Sequence, residues 1–180
     1  MSLADQEYLS IVKNILDKGA LGENRTGMPA YKLPHQIMQF DLEKEFPILT
    51  TKFVAFKTAV KEILWIWQKK SNNIHDLNST VWDEWADENG SIGKAYGYQL
   101  AQKHQYREGM MDQGDRAIYD LKNNPFSRRI LTNIYVHQDL HEMNLYPCAY
   151  SMTFNVTQHP GDDKLTLNAI LNQRSQALFF

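Results

Sequence analysis

One thiol, a few arginines and a carboxylate set in an apolar stretch are the groups in this chain best equipped for chemistry. Cys148 is the only cysteine among 180 residues. It follows Pro147 and stands at the head of an alternating run that begins Ala149-Tyr150. A thiolate is a strong nucleophile near neutral pH when a cation stabilises it. Arg128-Arg129 lie upstream and Arg174 downstream, so cations are available if the fold gathers them. Taken alone, a lone cysteine is more often a small buried hydrophobe than a catalyst.

The arginines carry more information together than singly. Ser127-Arg128-Arg129 follows a proline turn, and Gln173-Arg174-Ser175 closes a strand pattern. Guanidinium forks beside hydroxyl donors suit a phosphate, although ordinary surface ion pairs are the commoner use of any one arginine. Glu62 lies among Ala59, Trp65 and Ile66 at helical spacing, so its carboxylate is expected to face an apolar or cleft environment. Trp82 and Trp85 sit in the charged stretch Val81–Gly90. Such rings either pin a loop to the core or wall a ligand cleft. The six histidines are scattered and one cysteine cannot build a cysteine-rich zinc site, so no metal is expected. Gly90-Ser91-Ile92-Gly93 is too short for a nucleotide fingerprint. A Cys–His pair with His137, His141 or His159 is the weaker alternative.

Positioning these groups requires elements that the pattern supplies. Tyr8, Ile11, Val12, Ile15 and Leu16 predict a helix over 5–18, stopped at Gly19. Residues 31–42 read as extended, with Met38, Phe40 and Leu42 in alternation. The longest helical pattern covers 53–70 and predicts a central, buried helix. The stretch 71–97 reads as loop, and a helix is predicted over 112–123, ended by Asn124-Pro125. A strand over 129–136 and a hairpin turning at His159–Asp163 predict a sheet of at least three strands, with Cys148 in phase with Tyr150 and Met152. The class expected is α+β, in a single domain spanning 1–180. Net charge is -2, which argues against a general nucleic-acid surface. No apolar stretch approaches the ~20 residues needed to span a bilayer. The N-terminus lacks a signal pattern, and the expected compartment is the cytoplasm.

Ordered along the chain are Asn24-Arg25-Thr26-Gly27, Phe46–Lys52, Lys61–Trp65, Trp82–Gly90, Ile92–Gly97, Asn124–Arg129, Tyr146-Pro147-Cys148 and Gln173-Arg174-Ser175. In this order and spacing the sequence resembles the N-terminal two-thirds of the thymidylate synthases. The resemblance implies an α+β fold with a mixed or antiparallel sheet packed with helices, one sheet face forming a dimer interface. It implies reductive methylation of dUMP to dTMP, with 5,10-methylenetetrahydrofolate as co-substrate giving both carbon and hydride. Cys148 matches the nucleophile that adds to pyrimidine C6. Glu62 matches the carboxylate that organises water and proton transfer, and Tyr96 the tyrosine near the reacting centre. Arg25, Arg174 and Ser175 match phosphate ligands of the same subunit. Arg128 and Arg129 match the pair given across a homodimer interface to the partner's phosphate. Trp82, Trp85 and Lys52 match folate-binding positions.

Two departures stand out. Ala149 follows the nucleophile where many members have His, and Gln176-Ala177-Leu178-Phe179-Phe180 stands where the family continues into its base-reading and sugar-holding residues. A domain truncated at its C-terminus is therefore expected. The alternatives are a pyrimidine deoxynucleotide hydroxymethylase, which releases the same adduct to water, and a non-catalytic relic that binds nucleotide or RNA, its own mRNA included.

Overall fold

The computed structural model describes residues 1–23 and 27–174, in two compact units, one over Met1–Phe56 and one beginning at Lys57. In the first unit, α1 spans Leu3–Lys18. Its start is a capping box: Ser2 Oγ accepts the Asp5 N–H at 3.0 Å, and the Asp5 carboxylate accepts the Ser2 N–H at 2.9 Å. Asp5 is fully buried, and it also accepts N–H and O–H groups from both Thr50 and Thr51. One carboxylate thus caps the helix and ties the segment before Lys52 to it. Strands β1 (Ala20–Gly22) and β2 (Ala30–Lys32) pair antiparallel, Leu21 opposite Tyr31. The extended pattern expected over 31–42 makes a strand only as far as Lys32. Pro34 lacks an N–H and His35 takes a positive φ of 61°, which turns the chain out of any ladder.

The pattern over 53–70 forms α2 (Phe56–Leu64), followed by a π-helical turn over Trp65–Lys69. Lys70, in the left-handed region at φ 52°, ends it. The expectation that this helix is well buried holds only for its last part. Trp65 and Ile66 are buried, whereas no residue of α2 is, and Phe56, Val60, Ile63 and Leu64 are exposed. The apolar stripe is present, but apart from Phe56, whose ring meets that of Phe46, it stays largely uncovered among the described residues.

Trp65, Trp82, Ile92, Tyr96, Leu100 and Ile134 are central to the core of the second unit. The stretch 71–97 is loop with short 3-10 turns at Ile74–Asp76 and Asp83–Trp85, and it leads into α3 (Gly97–Ala101). The hairpin of β3 (His104–Tyr106) and β4 (Gly109–Met111) precedes α4 (Gln113–Asn123), capped by Asp112. Strands β5 (Leu131–Asn133), β6 (Ala149–Gln158) and β7 (Leu165–Gln173) form an antiparallel sheet in the order β5-β6-β7. The hairpin register runs Phe154 opposite Ala169, but Ala149 faces Gln173 while Ser151 faces Asn172. Tyr150 is therefore an extra residue, a bulge that breaks the period-two phase between Cys148 and Met152 and re-aims the head of β6. Among the described residues no helix is long and apolar enough to cross a membrane.

Candidate active site

Cys148 stands just before β6, half-buried and with a free thiol. The end of β7 returns beside it, and the Arg174 N–H donates to the Cys148 carbonyl at 3.0 Å. That pairing extends the hairpin by one residue and carries the Arg174 side chain across the nucleophile. Its Nη2 lies 3.8 Å from Sγ and 3.2 Å from the Tyr146 carbonyl, and its Nε donates to the Pro147 carbonyl at 3.1 Å. Nη1 is left without a partner among the described residues. A guanidinium fixed in this way puts a positive charge next to the sulfur and leaves one edge of its fork for an anion.

Tyr96 closes the other side. The Cys148 N–H donates to its phenol oxygen at 3.1 Å, which leaves the phenol O–H free to donate elsewhere. Tyr96 is 8 % exposed. Burial first, and the nearby Cys148 and Glu62 groups after it, push its phenol above the ordinary tyrosine range, against the Cys148 N–H and Arg174. Its backbone, at φ 45° and ψ -104°, lies where non-glycine residues seldom sit. Holding it there costs on the order of 1–3 kcal/mol, which the surrounding packing must offset.

The Tyr96 ring lies 5.2 Å from the Trp82 ring, edge to face. Trp82 is 6 % exposed, also packs on Trp85 and Trp65, and donates its indole N–H to Glu62 Oε1 at 2.9 Å. Glu62, half-buried at the end of α2, is thereby oriented by the tryptophan loop. The core-pinning reading of that loop holds for Trp82, a core ring whose polar edge holds a carboxylate. Trp85 is half-buried, and its carbonyl accepts from Asn144 Nδ2 at 2.8 Å.

Glu62, Trp82, Tyr96, Cys148 and Arg174 thus form one contiguous run of contacts. Arg128 and Arg129 do not join it: both are exposed after α4, without a side-chain hydrogen bond or ion pair among the described residues. Lys52 belongs to the first unit, where its Nζ lies 5.0 Å from the centre of the Tyr8 ring. Arg25 and Ser175 lie outside the described residues. Gln99 was missed by sequence reasoning. Its buried side chain donates to the Lys94 carbonyl at 2.9 Å and to Asp139 Oδ2 at 2.8 Å. A glutamine in a short helix carries no local signal of such a role. Among the described residues no group of three or more His, Cys, Asp or Glu could hold a metal ion.

The sequence model described as "Thymidylate synthase" matches residues 6–180. A thymidylate synthase of Clostridium beijerinckii is 51% identical over 178 residues, covering 97% of this chain and 62% of that protein. Thymidylate synthase 1 of Bacillus subtilis strain 168 is 45% identical over 170 residues, 87% of this chain and 61% of its own length. The solved structure of thermostable thymidylate synthase A from Bacillus subtilis superposes with a TM-score of 0.76 at 41% identity, covering 92% of this chain and 63% of that one. The chain therefore spans a little over three-fifths of the relatives it matches. With nearly all of its residues accounted for by one sequence model, and the α+β architecture shared with a solved member, this chain belongs to the thymidylate synthase family.

Proposed function

We propose that the chain carries the nucleophilic half of a reductive methylation of dUMP to dTMP, with Cys148 adding to C6 of the pyrimidine. The observation that carries this reading is the Arg174 guanidinium, 3.8 Å from Sγ and with Nη1 unpartnered among the described residues. One side chain can then neutralise the thiolate and hold a nucleotide phosphate, with Arg25 and Ser175 as further ligands by family resemblance. Addition forms the Sγ–C6 bond and moves the C5–C6 π pair to C5, making C5 a nucleophilic enolate carbon. After C5 has gained its new carbon and lost its proton, departure of Sγ restores the double bond. Glu62, aligned by the Trp82 indole, is suited to order the water that moves that proton.

The chemistry of Trp82, Trp85 and Glu62 fits a planar, hydrogen-bonding ring system such as that of a reduced folate, and Lys52 is a further folate position by family resemblance alone. When bound, 5,10-methylenetetrahydrofolate supplies the one-carbon unit and the hydride. Tyr96, whose phenol oxygen accepts the Cys148 N–H, would turn its O–H to the pyrimidine.

A homodimer is part of the same proposal. Leu165, Leu167 and Leu171 are exposed at alternate positions along one face of β7, an apolar sheet surface suited to a second copy. Arg128 and Arg129, unengaged in the described chain, would then reach the partner's phosphate. The cytoplasm, with its reducing poise, suits a catalytic thiol.

Incubation with 5-fluoro-dUMP and the reduced folate, followed by mass spectrometry, tests the central step. A covalent adduct on Cys148 is expected, and its absence from the folded chain would overturn the reading. Product assays with dUMP and dCMP separate methylation from hydroxymethylation: a 5-hydroxymethyl product without dTMP would replace the methyltransferase by the hydroxymethylase.

A further inference from the structure

The backbone of Tyr96 must be held in its unusual conformation by something, because a tyrosine left to itself relaxes to ordinary φ and ψ. The flanking segment is pinned on both sides. At Gly97 a Cβ would lie 2.1 Å from the Ser71 carbonyl oxygen, and at Gly93, with φ +74°, 2.1 Å from that of Glu142. Backbone therefore presses on backbone at both ends of the five-residue step Gly93–Gly97 that contains Tyr96. Between these pins the Lys94 N–H donates to the Glu142 carbonyl at 2.9 Å. The Lys94 carbonyl is held by Gln99 alone among the described side chains.

Gln99 is 3 % exposed, and its amide donates one bond to Lys94 and one to Asp139. The Gln99 backbone carbonyl accepts from Gln113 Nε2 at 3.3 Å, and Gln113 Oε1 accepts the Asn133 N–H of β5 at 2.7 Å. Asp139 is held below the ordinary carboxylate range, by the Gln99 amide first and the Lys94 ammonium after it. Gln99 is the junction at which the loop of Asp139, the strained step and the sheet bearing the nucleophile are joined.

We infer that Gln99 is a positioning residue: by bonding Lys94 and Asp139 it keeps Tyr96 in its strained backbone, and so keeps the phenol on the Cys148 amide with Sγ turned to Arg174. The inference rests on the reading of Cys148 as nucleophile and adds a residue that touches no reacting atom. Losing the Gln99 bonds lets Tyr96 relax, withdraws the phenol, and frees Cys148 to turn Sγ away from the guanidinium.

The test uses the full chain, in which Cys148 is the only thiol, so iodoacetamide reports on one site. Gln99→Met removes both donors at nearly constant volume, and Tyr96→Phe removes only the phenol oxygen. Each is expected to slow alkylation at neutral pH by about three- to tenfold, and the double variant no more than either alone. In protein isotope-labelled at the tyrosine ring carbon, the Tyr96 resonance of Gln99→Met should titrate closer to the ordinary tyrosine range while those of other tyrosines stay put. Effects that add, or a Gln99→Met chain matching wild type in both readouts, would overturn the inference. Wild-type reactivity in Tyr96→Phe would overturn it at the contact itself. Should Gln99→Met not fold, Asp139→Asn in the same cycle decides by the same criterion. A missing 5-fluoro-dUMP adduct alongside the expected cycle would sink the proposed function and leave this inference standing.

Discussion

The Arg174 side chain is bonded to the carbonyls of Tyr146 and Pro147 while its Nη2 rests 3.8 Å from the Cys148 sulfur. The guanidinium is thus aimed by the backbone on the approach to the nucleophile. Arg174→Ala should slow 5-fluoro-dUMP adduct formation by about ten- to a hundredfold, the scale of lost charge-assisted hydrogen bonds. Arg174→Lys should recover little, because an ammonium cannot reproduce the fork. Stopped-quench mass spectrometry measures both, and full rescue by lysine would refute the bidentate role.

Trp82→Phe keeps a ring in the cluster but removes the donor to Glu62 Oε1. Stability should fall by about 1–2 kcal/mol, through one hydrogen bond and a smaller ring. Turnover, measured on the chain or on a chimera completed from a relative, should fall by more than nucleotide affinity, since the carboxylate is disoriented while the phosphate site is untouched. Equal losses in both would argue that Trp82 only packs.

Asp5 makes the first unit sensitive to acid. Hydrogen bonds from Thr50 first, and from Ser2 and Thr51, hold its carboxyl well below the usual range despite burial. A depressed carboxylate pKa stabilises fully above the unfolded value, ~4, and the stabilisation is withdrawn as pH falls towards the folded value. Asp5→Asn should therefore be less stable than wild type at neutral pH, with the difference narrowing under strong acid. Urea denaturation at neutral and acidic pH, followed by amide exchange at Thr50 and Thr51, measures it.

Gly97→Ala should cost about 3 kcal/mol or prevent folding, because its Cβ would meet backbone, the Ser71 carbonyl at 2.1 Å, which has nowhere to go. Gly114→Ala, within α4 and with its nearest contact at 3.4 Å, should be neutral or stabilising by about 0.5–1 kcal/mol. Thermal melts of the pair compare a glycine needed for close approach with one that is not.

Asp112 is buried, caps α4 through the Asp115 N–H at 2.9 Å and pairs with Lys70 at 2.7 Å and Lys103 at 2.9 Å. Asp112→Ala removes the cap and leaves Lys70 and Lys103 with Asp115 alone, so a loss of about 2 kcal/mol is expected in chemical denaturation. Adding Lys70→Met should recover part of it.

Local order was legible where local chemistry decides it. The α1 pattern ends at Gly19, the helix expected over 112–123 forms as α4, and the β6–β7 alternation turns at His159–Asp163, all within reach of propensity and period. The ordered motifs around Cys148, Trp82 and Arg174 likewise named the family. The extended run after Lys32 failed because a positive φ at His35 has no pattern in the text, and burial of α2 failed because a stripe says what a helix could bury, not what covers it.

The sequence by itself determined which groups are available: one thiol, its arginines, a carboxylate among apolar neighbours and an aromatic loop. Only the tertiary structure decided which groups meet. A one-residue bulge at Tyr150, the return of β7 that carries Arg174 over Sγ, and the Tyr96 phenol on the Cys148 amide are long-range matters. Their energies come from contacts between residues distant in the chain, which no window of sequence contains.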